Sequence, residues 1–143
     1  MTTIVWDGKT LCADSLLSDT GGMRCGEIPK IVHSRYRKKP ALIGVTGSYS
    51  AAFRAVLWLE GKVKEKPEFT EDFELLIVQA DMTSFVGRDL SPYPAPTPCE
   101  LGSGAPKALD ALTLGLNARE AVELAIKLDC MSGGTIVEKT LED

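Results

Sequence analysis

The chain opens with MTTIV, and Thr2 is the residue here that could combine two reactive groups. Methionine aminopeptidases accept a small second residue such as threonine, so we expect Met1 to be removed. We expect this step, rather than cleavage of a propeptide, to create a free α-amine. Thr2 would then carry both a nucleophilic hydroxyl and the base that activates it, which an internal threonine lacks. The plain alternative is that residues 2–5 only begin a β-strand, which Thr, Ile and Val favour.

Composition limits the other chemistry that the chain could carry. Its 143 residues are 44% hydrophobic and 25% charged, typical of a soluble protein, and we treat 1–143 as a single domain. The four cysteines form no CxxC pair and there is one histidine, so we expect no metal and no cofactor. Free thiols are typical of the cytoplasm. The net charge of −4 argues against nucleic acid, and the absence of an apolar run of about 18 residues argues against a membrane span.

The first two thirds of the chain predict paired strands and one helix. TTIVW and KTLCAD flank the dipeptide Asp7-Gly8, a strong hairpin signal. KIVHS and ALIGV predict two further strands, with a break at Lys38, Lys39 and Pro40. SYSAAFRAVLWLEG has helical spacing and a stop at Gly61. LLIVQ and TSFVG predict a second antiparallel pair, and SPYPAPTP predicts a proline-rich loop outside any sheet.

The last third predicts two helices and a final strand. Ser103 is a candidate N-cap, with Pro106 in the first turn of a helix through Leu109, Leu112 and Leu116. Asn117 and Glu120 have the spacing of a capping box, before an apolar stripe of Ala118, Ala121, Val122 and Ala125. SGG and TIVEKTL then predict a turn and a strand. This order favours an α+β fold in which helices cover antiparallel sheets.

Six fragments carry a family resemblance: TTIV, the AD that ends at Asp14, the KIV that begins at Lys30, GVTGS, LGSGAPKAL and D-x-x-SGG. They occur in the order seen in proteasome β-subunits and their bacterial HslV-type relatives, over nearly the whole chain. The chain thus resembles an N-terminal-nucleophile hydrolase. The resemblance implies a four-layer αββα sandwich, with two antiparallel sheets between helix layers. It further implies a threonine endopeptidase that acts on polypeptides and assembles as a homo-oligomeric ring.

The resemblance also implies the roles of four residues around a substrate carbonyl. Thr2 matches the nucleophile, and Lys30 matches a lysine whose ammonium stabilises the alkoxide and keeps the α-amine neutral. Asp14 matches the aspartate that pairs with this lysine, although an aspartate there is otherwise a turn former. Gly47 matches the glycine whose N–H donates to the oxyanion, and it is equally suited to a turn from strand to helix.

Three polar residues match positions that surround the terminal amine: Ser103, Asp129 and Ser132. Ser103 alone would be a helix cap, and Asp129 alone a helix end, although the helix dipole disfavours a carboxylate there. We interpret Thr3 as an ordinary strand residue, His33 as a strand or loop residue, and Trp6 and Trp58 as core. By analogy with the family, Val45, Leu16 and Leu17 suggest an apolar specificity pocket.

One segment departs from the family pattern. Residues 61–74 look too short and too charged for the second helix usual there, which is unfavourable to docking of an ATPase partner. Two alternatives to a peptidase stay open. One is an amidohydrolase of the same superfamily acting on a small amide, and the other is a catalytically silent structural or assembly protein that keeps Met1.

Overall fold

The computed structural model describes residues 2–18 and 23–142, so Met1 and its expected removal lie outside the described residues. The elements follow in this order: β1 Ile4–Trp6, β2 Leu11–Ala13, β3 Leu16–Ser18, β4 Arg24–Glu27, β5 Ile31–Tyr36, β6 Lys39–Gly47, α1 Tyr49–Leu59, β7 Phe73–Val78, β8 Thr83–Val86, β9 Pro92–Pro94, β10 Cys99–Leu101, α2 Ala105–Thr113, α3 Ala118–Leu128 and β11 Val137–Lys139.

Two antiparallel sheets lie at the centre of the fold. One has the strand order β10-β1-β2-β11 and the other β5-β6-β7-β8-β9, while β3 and β4 form a separate pair. The predicted hairpin joins β1 to β2. Its turn is held by the Asp7 carboxylate, which accepts hydrogen bonds from Lys9 N at 2.9 Å and Thr10 N at 2.8 Å. An aspartate that bonds backbone groups two and three residues ahead stabilises such a turn.

Alternating side chains separate the core into layers. Ile4 and Trp6 lie between the two sheets, with Leu42 of β6 and Leu76 of β7. Val5, on the opposite face of β1, packs against α2 and α3. The other faces of β6 and β7 pack against α1. The order of layers is therefore α2 and α3, the four-stranded sheet, the five-stranded sheet, then α1, which confirms the predicted α+β, four-layer αββα class.

The predicted helices α1 and α3 both begin at side-chain caps. α1 follows Ser48, whose hydroxyl accepts from Ala51 N at 3.4 Å. α3 begins at the predicted capping box, in which Asn117 Oδ1 accepts from Glu120 N and Glu120 Oε1 accepts from Asn117 N. The predicted stripe of α3 is buried and consists of Ala118, Ala121, Val122 and Ala125. The predictions of both helices are confirmed.

Several local predictions are wrong. Part of SPYPAPTP forms β9, which pairs with β8 at the edge of the five-stranded sheet. A proline has no N–H to donate, and an edge strand tolerates this because one of its sides needs no hydrogen bonds to a neighbouring strand. α2 follows Gly104 without a side-chain cap, so Ser103 is not its N-cap. α2 also ends at Thr113, so Leu116 lies beyond it, and its buried residues are Ala108 and Ala111.

Other differences concern elements that the sequence did not predict. The break between β5 and β6 is a turn at Arg37 and Lys38, both with positive φ, and β6 already begins at Lys39. β3, β4 and β10 were not expected. Residues 60–72 contain no helix, as the charged composition indicated. Within the described residues, no helix has the length and apolarity needed to cross a membrane.

The four cysteines divide into two buried and two exposed thiols, none of them in a disulfide. Burial raises the pKa of Cys12 and of Cys99 to about 12. Since the thiolate is the reactive form, a thiol reagent at neutral pH should modify Cys25 and Cys130 in the native protein. Cys12 and Cys99 should react only after unfolding. Peptide mapping by mass spectrometry checks this, and rapid native modification of Cys12 would contradict the packing of β2 against α3.

Candidate active site

A buried ion pair joins the two sheets at one end. Asp14 follows β2, Lys30 precedes β5, and Lys30 Nζ donates to Asp14 Oδ1 at 2.9 Å. The carboxylate also accepts from Thr3 N at 2.9 Å and from Gly133 N at 3.0 Å. Burial lowers the pKa of Lys30, and attraction to Asp14 and Asp129 opposes this only in part.

Thr2 is buried directly beside this pair. It lines a cavity of about 560 Å³ that Lys30 and Gly47 also line. Its carbonyl accepts from Gly104 N at 3.2 Å. A Cβ on Gly102 would lie 2.0 Å from Thr2 O, and one on Gly104 would lie 1.8 Å from Thr3 Oγ1. The GSG sequence is therefore required by the close approach of residues 102–104 to the start of the chain.

Gly47 ends β6 at the mouth of the cavity. Its φ is +85°, and a Cβ there would lie 2.5 Å from Asp72 O and 2.7 Å from the Cα of Phe73. The positive φ and the lack of space for a Cβ both exclude any residue other than glycine unless the backbone moves. Ser48, the next residue, caps α1. Gly47 thus makes the predicted turn from strand to helix, and it also borders the cavity that Thr2 lines.

Ser103, Asp129 and Ser132 form one hydrogen-bonded network. Both serine hydroxyls donate to Asp129 Oδ2 at 2.7 Å, and Met131 N donates to Oδ1 at 3.2 Å. Burial opposes ionisation of Asp129, but the donors outweigh it and hold the pKa of this carboxyl below its ordinary value. Ser103 Oγ also lies 3.4 Å from Thr2 O, which connects the network to the start of the chain.

Two cavities meet at Gly47. The one that Thr2 lines has apolar walls, which include the predicted Leu16, Leu17 and Val45 together with Ile28 and Met131. The other has a volume of about 720 Å³, and its lining includes Gly102, Ser103 and the charged residues Asp72, Glu74, Arg88 and Asp89. Thr46, Gly47 and Asp72 border both cavities. An extended ligand could thus pass Gly47 with one part in each cavity.

The structure brings the seven predicted site residues to one end of the two sheets. Thr2, Lys30 and Gly47 share a cavity, Asp14 pairs with Lys30, and Ser103, Asp129 and Ser132 are bonded to one another. Thr3 lies directly before β1, and its carbonyl accepts from Asp14 N at 3.1 Å, next to the paired residues Ile4 and Ala13. Its hydroxyl is also 2.6 Å from Ser132 Oγ, a contact that the interpretation of Thr3 as an ordinary strand residue did not include. The position of Thr3 next to Thr2 in the sequence was the available signal for this contact.

Glu27 is a further residue that the sequence did not indicate. Its carboxylate on β4 accepts from Thr135 N and from the Ser15 hydroxyl, and these bonds lower its pKa. It thereby ties the pair of β3 and β4 to the segment that follows Ser132. No three His, Cys, Asp or Glu side chains group as metal ligands within residues 2–18 and 23–142.

Solved structures resemble this chain, whereas no family model and no curated protein sequence matches it. HslV from Trypanosoma brucei is 18% identical, with a TM-score of 0.73 over 96% of this chain and 97% of that one. BPH from Thiobacillus denitrificans, in complex with epoxomicin, is 20% identical, with a TM-score of 0.66 over 96% of each chain. The Anbu complex from Pseudomonas aeruginosa, a helical assembly, is 10% identical, with a TM-score of 0.65 over 98% of this chain and 80% of that one. At these identities the likeness shows the fold alone, which this chain shares with HslV, BPH and Anbu.

The contacts of Asp14 predict a large loss of stability on truncation. Asp14→Ala should lower the free energy of unfolding by about 3–5 kcal/mol, because it leaves the Lys30 ammonium buried without its carboxylate. Urea denaturation measures this. Asp81→Ala is a matched control, since Asp81 pairs with Lys39 at 2.7 Å on the surface, where water screens the pair. Equal losses for the two variants would contradict a structural role for the buried pair.

Proposed function

We propose that this chain is a threonine-type peptidase in which Thr2, exposed by removal of Met1, is the nucleophile. The observation that carries the proposal is that Thr2, Lys30 and Gly47 line one cavity. A nucleophile, a fixed positive charge and a backbone N–H beside a carbonyl site are what acyl transfer requires. The free thiols support a cytoplasmic location.

The proposed reaction begins with attack of the Thr2 hydroxyl oxygen on the substrate carbonyl carbon. The α-amine of Thr2 takes the hydroxyl proton, and the Gly47 N–H and the Lys30 ammonium stabilise the negative charge that develops. The carbon–nitrogen bond then breaks, and the amine gives its proton to the leaving nitrogen. Water then attacks the carbonyl carbon of the resulting ester and gives a proton to the α-amine. The carbon–oxygen bond to Thr2 breaks, and the amine returns the proton to the Thr2 oxygen, which restores the hydroxyl and releases the acid.

The Lys30 ammonium supports a neutral amine as the base. An α-amine has an ordinary pKa of about 7.7–8.0, and a nearby ammonium disfavours its charged form. Asp14 holds the Lys30 ammonium at 2.9 Å, so its position is fixed. Ser103 and Ser132 both donate to Asp129, and this network adjoins the Thr2 carbonyl. We assign these three residues to orienting the amine and relaying its proton.

The two cavities favour a peptide over a small amide as substrate. A small amide would need a single closed pocket, whereas the space here continues on both sides of Gly47. The apolar walls beside Thr2 suit an apolar side chain of the acyl part. The part of the peptide that leaves as the amine would extend past Ser103 into the charged cavity. Ser103 belongs to the network with Asp129 and Ser132 that we assign to orienting the Thr2 amine.

We further propose that the chain forms a homo-oligomer through its helices. The Anbu chain that resembles it was solved as a helical assembly. Large apolar side chains are exposed on α2 and α3, including Leu109 at 48% and Leu128 at 57%, and burial of such residues favours association. Residues 60–72 form no helix, so the proposal includes no ATPase partner.

Sedimentation tests the oligomer. The parent protein should sediment as a multimer at micromolar concentration, and Leu109→Glu with Leu128→Glu should shift it towards the monomer, because charges then lie on the proposed contact face. Met82→Glu is the control, since Met82 is exposed at 37% on the turn between β7 and β8, away from these helices. A parent protein that stays monomeric would refute the oligomer and favour the small-amide reaction.

Removal of Met1 and substitution of Thr2 test the assignment of the nucleophile. We expect an intact mass lower by one methionine residue, cleavage of fluorogenic peptides, no cleavage by Thr2→Ala and partial cleavage by Thr2→Ser, which keeps a hydroxyl. A threonine-directed electrophile should also react covalently with the freed residue. Mass spectrometry should therefore find one adduct, located on Thr2.

Two further results complete this test. Lys30→Ala should remove nearly all peptide cleavage, and Asp14→Asn should reduce it less, because the ammonium acts on charge in the transition state. A chain that retains Met1, forms no adduct and cleaves no peptide would instead be a structural or assembly protein with this fold.

A further inference from the structure

Thr3 contacts both charged parts of the candidate site. Its backbone N–H donates to Asp14 Oδ1 at 2.9 Å, on the side of Lys30. Its Oγ1 lies 2.6 Å from Ser132 Oγ, on the side of Asp129. The side chain is fully buried, with 0% exposure. Thr3 is thus a physical link between the ion pair and the serine network.

The direction of the hydroxyl bond follows from its neighbours. Ser132 Oγ lies 2.7 Å from Asp129 Oδ2, and an ionised carboxylate can only accept, so the single Ser132 proton is donated there. Ser132 must then accept from Thr3. The Thr3 hydroxyl thus donates to Ser132, and the Ser132 hydroxyl donates to Asp129. The Ser103 hydroxyl donates to the same carboxylate oxygen of Asp129.

Gly104 fits this assignment. A Cβ at position 104 would lie 1.8 Å from Thr3 Oγ1 and 3.1 Å from Ser132 Oγ. The residue facing the two hydroxyls therefore has no side chain, and its own N–H donates to Thr2 O. The space around Thr3 Oγ1 is closed tightly enough to hold its rotamer.

We propose that Thr3 is a positioning residue of the peptidase. Its hydroxyl donates to Ser132, keeps the Ser132 hydroxyl directed at Asp129, and so orients the groups around the Thr2 amine. This inference rests on the proposed function. Without the Thr3 hydroxyl, Ser132 loses the donor that Thr3 supplies to its lone pairs and can rotate away from Asp129. Thr3 lines neither of the two cavities, so the loss should affect kcat and leave KM nearly unchanged.

Thr3→Val tests the role, because valine keeps the shape and removes the hydroxyl. We expect kcat to fall about five- to tenfold, the size of one ordinary hydrogen bond, with KM within about twofold of the parent. Thr3→Ser should restore most of kcat, which a purely packing role would not. Thr113→Val is the matched control, since the exposed Thr113 hydroxyl donates to Leu109 O within α2, and it should leave kcat unchanged.

A double-mutant cycle with Ser132→Ala shows whether Thr3 acts through Ser132. If it does, Thr3→Val should cost almost nothing in the Ser132→Ala background, both in kcat and in the free energy of unfolding. Additive losses, or a Thr3→Val protein with the parent kcat, would overturn the inference while the parent still cleaves peptide. A parent protein that cleaves no peptide would overturn the proposed function, and the positioning role with it.

Discussion

The carboxylate of Asp14 is the contact on which the arrangement of the site depends. It lies at 0% exposure and accepts from Thr3 N, Lys30 Nζ and Gly133 N, which belong to three separate segments of the chain. A buried charge is costly unless donors surround it, so these segments can adopt their native positions only together. The same contact that supplies a fixed ammonium to the cavity therefore holds the ends of the two sheets against each other. Stability and site geometry are coupled through one side chain.

Antiparallel topology explains why residues distant in sequence meet at this carboxylate. Thr3 precedes β1 and Asp14 follows β2, and the pairing of Ile4 with Ala13 places both at the same end of one sheet. Lys30 precedes β5 and Gly47 ends β6, and the pairing of Ile31 with Gly44 does the same in the other sheet. Each hairpin thus presents two site residues at its open end. The apolar layer between the sheets then brings the two open ends together.

Much of the fold was predictable from strong local signals in the sequence. The local predictions that failed concern residue types that suit more than one structure. The hairpin at Asp7 and the box at Asn117 were predictable because each is satisfied by neighbours within three residues. Ser103 does not cap α2, because the helix follows Gly104 instead, and the Ser103 hydroxyl donates to the carboxylate of Asp129. β9 was missed because proline excludes a central strand but not an edge strand. The seven site residues were named through family resemblance, whereas Thr3 needed coordinates, since its partner Ser132 lies 129 residues away.

The balance of charge around Lys30 connects this architecture to catalysis. Asp14 satisfies two backbone N–H groups as well as the ammonium, so its charge is shared among three donors. Burial lowers the pKa of Lys30, although Asp14 and Asp129 attract its charge. In the proposed reaction, a negative charge that develops in the adjoining cavity, on the Thr2 alkoxide or on a carbonyl oxyanion, would be attracted to the ammonium that Asp14 holds in place. Such a charge exists during reaction and not before it, so the interaction would lower the barrier rather than strengthen the binding of substrate. Lys30 lines the cavity together with Thr2 and Gly47, and this placement is the physical reason to assign its ammonium to the proposed chemistry.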